Sequence, residues 1–343
     1  MKPAAGLRAL LERIIDYAGL FPPAKLPLDD AIKNYARYRR DAEAWMLGRF
    51  VIPASRLGEL EPYRTLFAEG LPFTFSALGR GGDSAAAFLD GLRDDLQAVG
   101  AFEKRHSSRV VVDVLEVKWP NVPPAETTNL FESVAACVEQ HAGPLTLTPY
   151  FEIGLGGDWR RTVAAFVTDL KHFREDRAFR KRTKCRPPGL KLRCGGLDAA
   201  AFPTPEQVAF VLHCCLCHRV PLKCTAGLHH PIRHLNDEVE TTMHGFVNVF
   251  GAGVLGQALG LDEAKLRLIL EDEDAAHFVC DKHGFAWRDW HATAPEVSFA
   301  RHEAVTSFGS CSFDEPRDDL RALGWLPDPH AVPVALDIGG EGG

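Results

Sequence analysis

Apolar residues return along this chain in two rhythms. Leu7, Leu10, Leu11, Ile14 and Ile15 recur at helical spacing, which predicts a helix over Ala5–Tyr17. A second helix is predicted over Leu28–Asp41, after the connector Ala18-Gly19-Leu20-Phe21-Pro22-Pro23. Beyond these, short apolar runs read as strands at Trp45–Ile52, Pro72–Leu78, Val110–Val117, Leu145–Ile153, Gly189–Cys194, Pro221–Thr225, Gly245–Phe250 and Val305–Cys311. Between them lie amphipathic segments at Ser84–Val99, Glu126–Gln140, Trp159–Arg174, Pro205–His218 and Asp262–Ala276, with a last one at Glu315–Leu323. Thr204 and Asp262 are suited to N-caps, and Pro205 to a first helical position.

Strands that alternate with helices lie parallel, joined by crossovers, and eight such units are the number that closes a barrel. No G-x-G-x-x-G follows the first strand, which counts against an open dinucleotide-binding sheet. The expectation is an α/β fold, a (β/α)8 TIM-like barrel over 45–326. An N-terminal helical extension over 1–44 packs on it, and a Pro- and Gly-rich surface tail covers 327–343. Phe278-Val279-Cys280 and Phe285-Ala286-Trp287 flank a turn, so a β-hairpin insertion is expected at about 278–288, between units seven and eight.

Composition narrows the classes. With 46% hydrophobic and 25% charged residues, the 343-residue chain can bury a large core and is not a disordered or fibrous protein. Length alone suggests two domains, but barrels of this size are single domains. No uninterrupted apolar run is long enough to cross a membrane. The net charge of -7 argues against a nucleic-acid partner. Arg8, Glu12, Arg13 and Asp16 interrupt the first apolar segment, so no signal peptide is expected. The nine cysteines are irregularly spaced and read as reduced, in a cytoplasmic protein. A homo-oligomer is compatible with all of this.

In a barrel, chemistry sits at the C-terminal ends of the strands. There Lys191 and Arg193 share one side of a strand, and Lys223 and Thr225 share one side of the next. Two close cations depress one lysine's pKa and make it a base or a Schiff-base nucleophile; the competing reading is a lysine that binds a carboxylate or phosphate. Glu116 and Lys118 share a side of an earlier strand. Glu152, after Tyr150, is a candidate acid/base, and both carboxylates could instead serve as ion-pair partners. After Lys223 comes Gly227-Leu228-His229-His230-Pro231-Ile232-Arg233-His234, which with His244 gathers four imidazoles. His229 and His230 suit proton transfer; His230 and His234 are the alternative ligands for a divalent metal, the one cofactor considered. Asn248, Gly251 and Gly253, with Gly309, Ser310 and Ser312, occupy the two loops where many barrels bind phosphate.

Three features are set aside. His213-Cys214-Cys215-Leu216-Cys217-His218 has helical spacing and reads as core. The basic run Lys171–Arg186 falls on the face opposite the active site and reads as solvated charge. Cys311 has no catalytic Cys/His spacing.

The segments Lys191-Leu192-Arg193 and Lys223-Cys224-Thr225-Ala226-Gly227 resemble those of class I aldolases of the deoxyribose-phosphate type. The resemblance covers two strands and departs at His229-His230-Pro231. It implies a Schiff-base role for Lys223 with Lys191 as its pKa-lowering neighbour. The function expected is lysine-assisted aldol-type cleavage, decarboxylation or isomerisation of a small anionic carbonyl compound, with Arg193, Lys118, Glu116 and Thr225 contacting substrate. A metal-dependent hydrolase or lyase and a non-catalytic binding barrel are the alternatives.

Overall fold

The computed structural model describes residues 3–68 and 70–327. The expected tail lies, from residue 328 on, outside the described residues.

Eight parallel strands close a barrel: β1 (Ile15–Tyr17), β2 (Leu47–Pro53), β3 (Phe73–Leu78), β4 (Val110–Lys118), β5 (Thr148–Glu152), β6 (Gly189–Arg193), β7 (Leu222–Thr225) and β13 (Val305–Ser310). Between β7 and β13 lie a short hairpin, β8 (His234–Asn236) and β9 (Thr241–Met243), and a three-stranded antiparallel sheet. That sheet comprises β10 (Phe278–Cys280), β11 (Gly284–Trp287) and β12 (Trp290–Thr293). The expected hairpin is therefore present and carries a third strand.

The helices are α1 (Ala5–Leu11), α2 (Leu28–Tyr38), α3 (Ala85–His106), α4 (Pro124–His141), α5 (Trp159–Glu175), α6 (Arg177–Arg182), α7 (Pro205–His218), α8 (Phe246–Leu259), α9 (Glu263–Glu271), α10 (Ala294–Glu303) and α11 (Asp314–Ala322). In place of a helix after β2 the chain forms a 3-10 segment, Ala54–Ala68, containing Pro62. The fold is a (β/α)8 TIM-like barrel, as the alternation of strands and helices predicts. Thr204 caps α7 in a reciprocal capping box with Gln207, and Asp262 caps α9.

Two assignments differ from expectation, and they compensate. The first helix ends at Leu11, and Ile15–Tyr17 is a barrel strand paired with both β2 and β13. The N-terminal segment is thus not an extension; it supplies β1 and closes the ring. Conversely, Gly245–Phe250 is not a strand. Gly245 is the N-cap of α8, whose residues Phe246–Gly256 are all buried. A helix apolar on every face gives the same local signal as a buried strand.

Candidate functional site

The barrel interior holds an unbroken line of charge. Its first member, Asp16 on β1, is fully buried. Gly48 on β2 leaves room for it: a Cβ there would stand 2.2 Å from Asp16 Oδ1. Asp16 Oδ1 accepts from the Arg49 backbone N–H at 2.7 Å, and its Oδ2 from Ser307 Oγ at 2.7 Å. The Lys223 ammonium donates to the same Oδ2 and also to Ser307 Oγ at 3.2 Å. Lys223 lies 3.4 Å from Glu116 Oε1, which also accepts from Ser76 Oγ at 2.6 Å. The other oxygen of Glu116 is 2.8 Å from Lys191, and Lys191 is 3.0 Å from Glu152. Arg193 Nε completes the line, donating to Glu152 at 3.2 Å. Carboxylate and cation alternate from the barrel axis to its rim: Asp16, Lys223, Glu116, Lys191, Glu152, Arg193.

Strand register explains the order. Lys191 pairs with Lys223 across β6 and β7, Glu152 with Lys191 across β5 and β6, and Lys118 with Glu152 across β4 and β5. Alternation turns Lys191 and Lys223 inward, while Leu190, Leu192, Leu222 and Cys224 pack outward as expected.

The electrostatics follow from this pairing. Burial alone would raise the carboxyl pKa values. For Asp16, the Lys223 ammonium and the Arg49 guanidinium outweigh burial and bring it to about 2. For Glu116, Lys191 and Lys223 do the same, again to about 2. Burial pulls Lys223 down, but Asp16 and Glu116 more than reverse this and leave it raised. The expected pKa depression of Lys223 is therefore corrected. Its neighbouring cation is screened by a shared carboxylate, Glu116, and a second carboxylate sits opposite.

Above Lys191, at the C-terminal ends of the strands, opens a cleft of about 320 Å³. Glu116, Lys191, Arg193, Thr225, His229 and Gly309 line it, as does Cys311. The connector after β1 forms one wall through Ala18, Phe21, Pro22 and Pro23. Gly227 shapes the opposite edge. Its φ is +68°, and a Cβ would stand 2.7 Å from the Cys194 carbonyl, so only glycine lets the loops after β6 and β7 meet this closely. Lys223 is buried beneath the cleft and does not line it; the lysine at the cleft floor is Lys191.

His229 Nδ1 is 3.1 Å from Glu315 Oε2. Burial lowers the imidazole pKa, but contacts with Cys311 and Glu315 raise it to about 9, so the ring is a cation at neutral pH. Cys311, which its sequence spacing did not single out, thus adjoins an imidazolium at the cleft wall.

Other expected residues fall elsewhere. His230 Nδ1 faces Asp319 at 2.5 Å, and its ring meets that of His234 edge-on at 4.3 Å between centroids. His244 is buried against the Pro203 carbonyl, and burial holds it at about 4. Among the described residues, no group of three or more His, Cys, Asp or Glu side chains is arranged to hold a metal ion. Lys118 lines a separate cleft over the loops after β3, β4 and β5.

The expected anion loop after a seventh strand at Gly245–Phe250 is corrected, because α8 occupies that segment. Asn248 is fully buried and ties the Arg233 N–H to the carbonyls of Ile269 and Asp272. Gly251 and Gly253 face Phe285 and Val305 at packing distance. In the last loop Gly309 reaches the cleft, whereas Ser312 Oγ accepts from the Glu315 N–H at the start of α11 and Ser310 is buried.

No family model matches this chain, and no curated protein matches it. The likeness of the two lysine strands to the aldolase type therefore rests on those residues alone. Among the described residues, no helix is long and apolar enough to cross a membrane.

Proposed function

We propose that this barrel is an enzyme that acts on a small anionic carbonyl compound, with Lys191 as its reacting lysine. The observation that carries the reading is the position of Lys191. It stands on the floor of a cleft at the C-terminal face, between two carboxylates, with Arg193 and the His229 imidazolium on the walls. The substrate's anionic group pairs with Arg193, which is half exposed. Lys191 gives a proton to Glu152 and attacks the carbonyl carbon. The carbonyl oxygen takes one proton from the nitrogen of the adduct and a second from His229, and leaves as water. The resulting cationic imine accepts the electron pair of the adjacent bond as it breaks, a C–C bond in aldol cleavage or decarboxylation and a C–H bond in isomerisation. Glu116, itself anchored by Lys223 and through it by Asp16, holds the Lys191 side chain in position.

A second reading is favoured by the double ion pairing of Lys191. There the ammonium polarises the carbonyl without a covalent bond, and Glu152 moves the proton. Borohydride trapping separates the two. A panel of small oxo-acids and phosphorylated aldehydes is screened for turnover, and the protein is then reduced in the presence of each active compound. A mass adduct on Lys191, absent in Lys191→Met, is expected. Turnover without an adduct removes the covalent version. Turnover unchanged in Lys191→Met removes the whole reading.

A further inference from the structure

The opposite mouth of the barrel is also chemically distinctive. At the N-terminal ends of the strands lies a cleft of about 660 Å³. Five guanidiniums line it: Arg13, Arg49, Arg174, Arg186 and Arg301. Glu12, Asp113 and Glu303 are the carboxylates in its wall, beside His302. Asp113 is taken by Arg49 through a two-pronged pair at 2.5 and 2.8 Å. Among the described residues, none of the other four arginines has a carboxylate at ion-pair distance. Arg301 is buried and donates only to backbone carbonyls, those of Leu10 at 2.7 Å, Glu12 at 3.2 Å, Val305 and Thr306. Arg174 likewise donates to the carbonyls of Pro187 and Pro188. Burial pulls the pKa of Arg301 down to about 9, as expected for a cation short of counter-charge. Arg13 and Arg186 are exposed at the edge. The hydroxyls of Tyr150 and Thr306, 3.2 Å apart, add polar groups to the wall.

At neutral pH all five guanidiniums are charged, and clustering several without counter-ions is unfavourable. An anion that bridges them removes that cost, and planar guanidinium forks match oxyanions geometrically. We propose that the N-terminal mouth of the barrel binds a small polyanion, a phosphorylated or polycarboxylate compound with at least two negative charges. Arg174 and Arg186 belong to the basic run at Lys171–Arg186, so this site gives part of that run a role. Arg49 joins the site to the interior: besides Asp113 it reaches Asp16, at 3.5 Å, the carboxylate that holds Lys223.

Calorimetric titration of the full chain with pyrophosphate and, separately, with citrate tests this. The two anions distinguish a phosphate from a carboxylate ligand. Saturable one-to-one binding of at least one anion is expected. Arg13→Gln/Arg186→Gln, which changes only exposed side chains, should weaken it about tenfold or more. Lys191→Met at the other mouth should leave it unchanged. The proposal is overturned if neither anion saturates, if the double variant binds as tightly as the parent, or if Lys191→Met abolishes binding.

Discussion

Asp16 shows how much of the interior depends on one carboxylate. It holds the buried Lys223 and Ser307 and the partly buried Arg49 at once. Removing one member of a buried pair leaves the other charge uncompensated, at a cost of about 3–5 kcal/mol. Asp16→Asn should lower stability by that order in denaturant titration, and Asp16→Asn/Lys223→Met should regain part of it. A double variant no more stable than Asp16→Asn would contradict the pairing.

The pH dependence follows from the same groups. The carboxyls of Asp16 and Glu116 titrate near 2 when folded, below their ordinary values of 3.8 and 4.5. Their stabilisation is complete above the higher values and is lost as pH falls toward 2. His229 has the opposite sign. Its pKa is raised from 6.5 to about 9, so its contribution is present below 6.5 and is lost as pH rises through 9. Turnover should fall on an alkaline limb near 9, and His229→Gln should remove that limb; a limb that survives the substitution would exclude His229 as the acid.

At this scale the inward pair Lys191 and Lys223 was legible from strand alternation, and so were Glu116 and Glu152. Asp16 was not, because its neighbours continue the spacing of the helix before it. Nor was the pairing of Cys311 with His229, since 82 residues separate them in the chain.

Elements were legible where period and length agree. The strands from Leu47 to Thr225 and the helices between them follow their patterns. The two misassigned segments have identifiable causes. Ile15–Tyr17 is a three-residue strand, too short to show alternation of its own. The apolar run from Phe246 extends to Leu255, longer than most strands, and its length favours a helix.

That correction yields a prediction for α8. A Cβ on Gly253 would meet Val305 of β13 at 2.4 Å. Gly253→Ala should therefore destabilise the fold by about 1–3 kcal/mol through overpacking. It should leave anion binding at the cleft unchanged in the remaining folded protein. A selective loss of substrate affinity at unchanged stability would instead restore the anion-loop role.

For the whole molecule, the eight-unit plan was legible because the missed strand and the surplus one cancelled in the count. Which segment closes the ring was not, since closure is a contact between distant parts of the chain. Ile15 stands beside Leu47 on one side and Phe308 on the other. Deleting residues 1–17 should expose the edges of β2 and β13. Chemical unfolding of the truncated chain should become broad, with a reduced m-value. An unchanged midpoint and m-value would show that β1 is dispensable.

The placement of β1 also orders events during synthesis. Asp16 leaves the ribosome 207 residues ahead of the lysine it will hold. At translation rates of about 5–20 residues per second, that carboxylate waits roughly 10–40 s for its ammonium. The seam between β1 and β13 cannot form until Ser307 and Phe308 have followed. Until then the nascent chain carries an open sheet with two free edges and a half-built charged interior. Those edges are open to pairing with other chains until the ring closes.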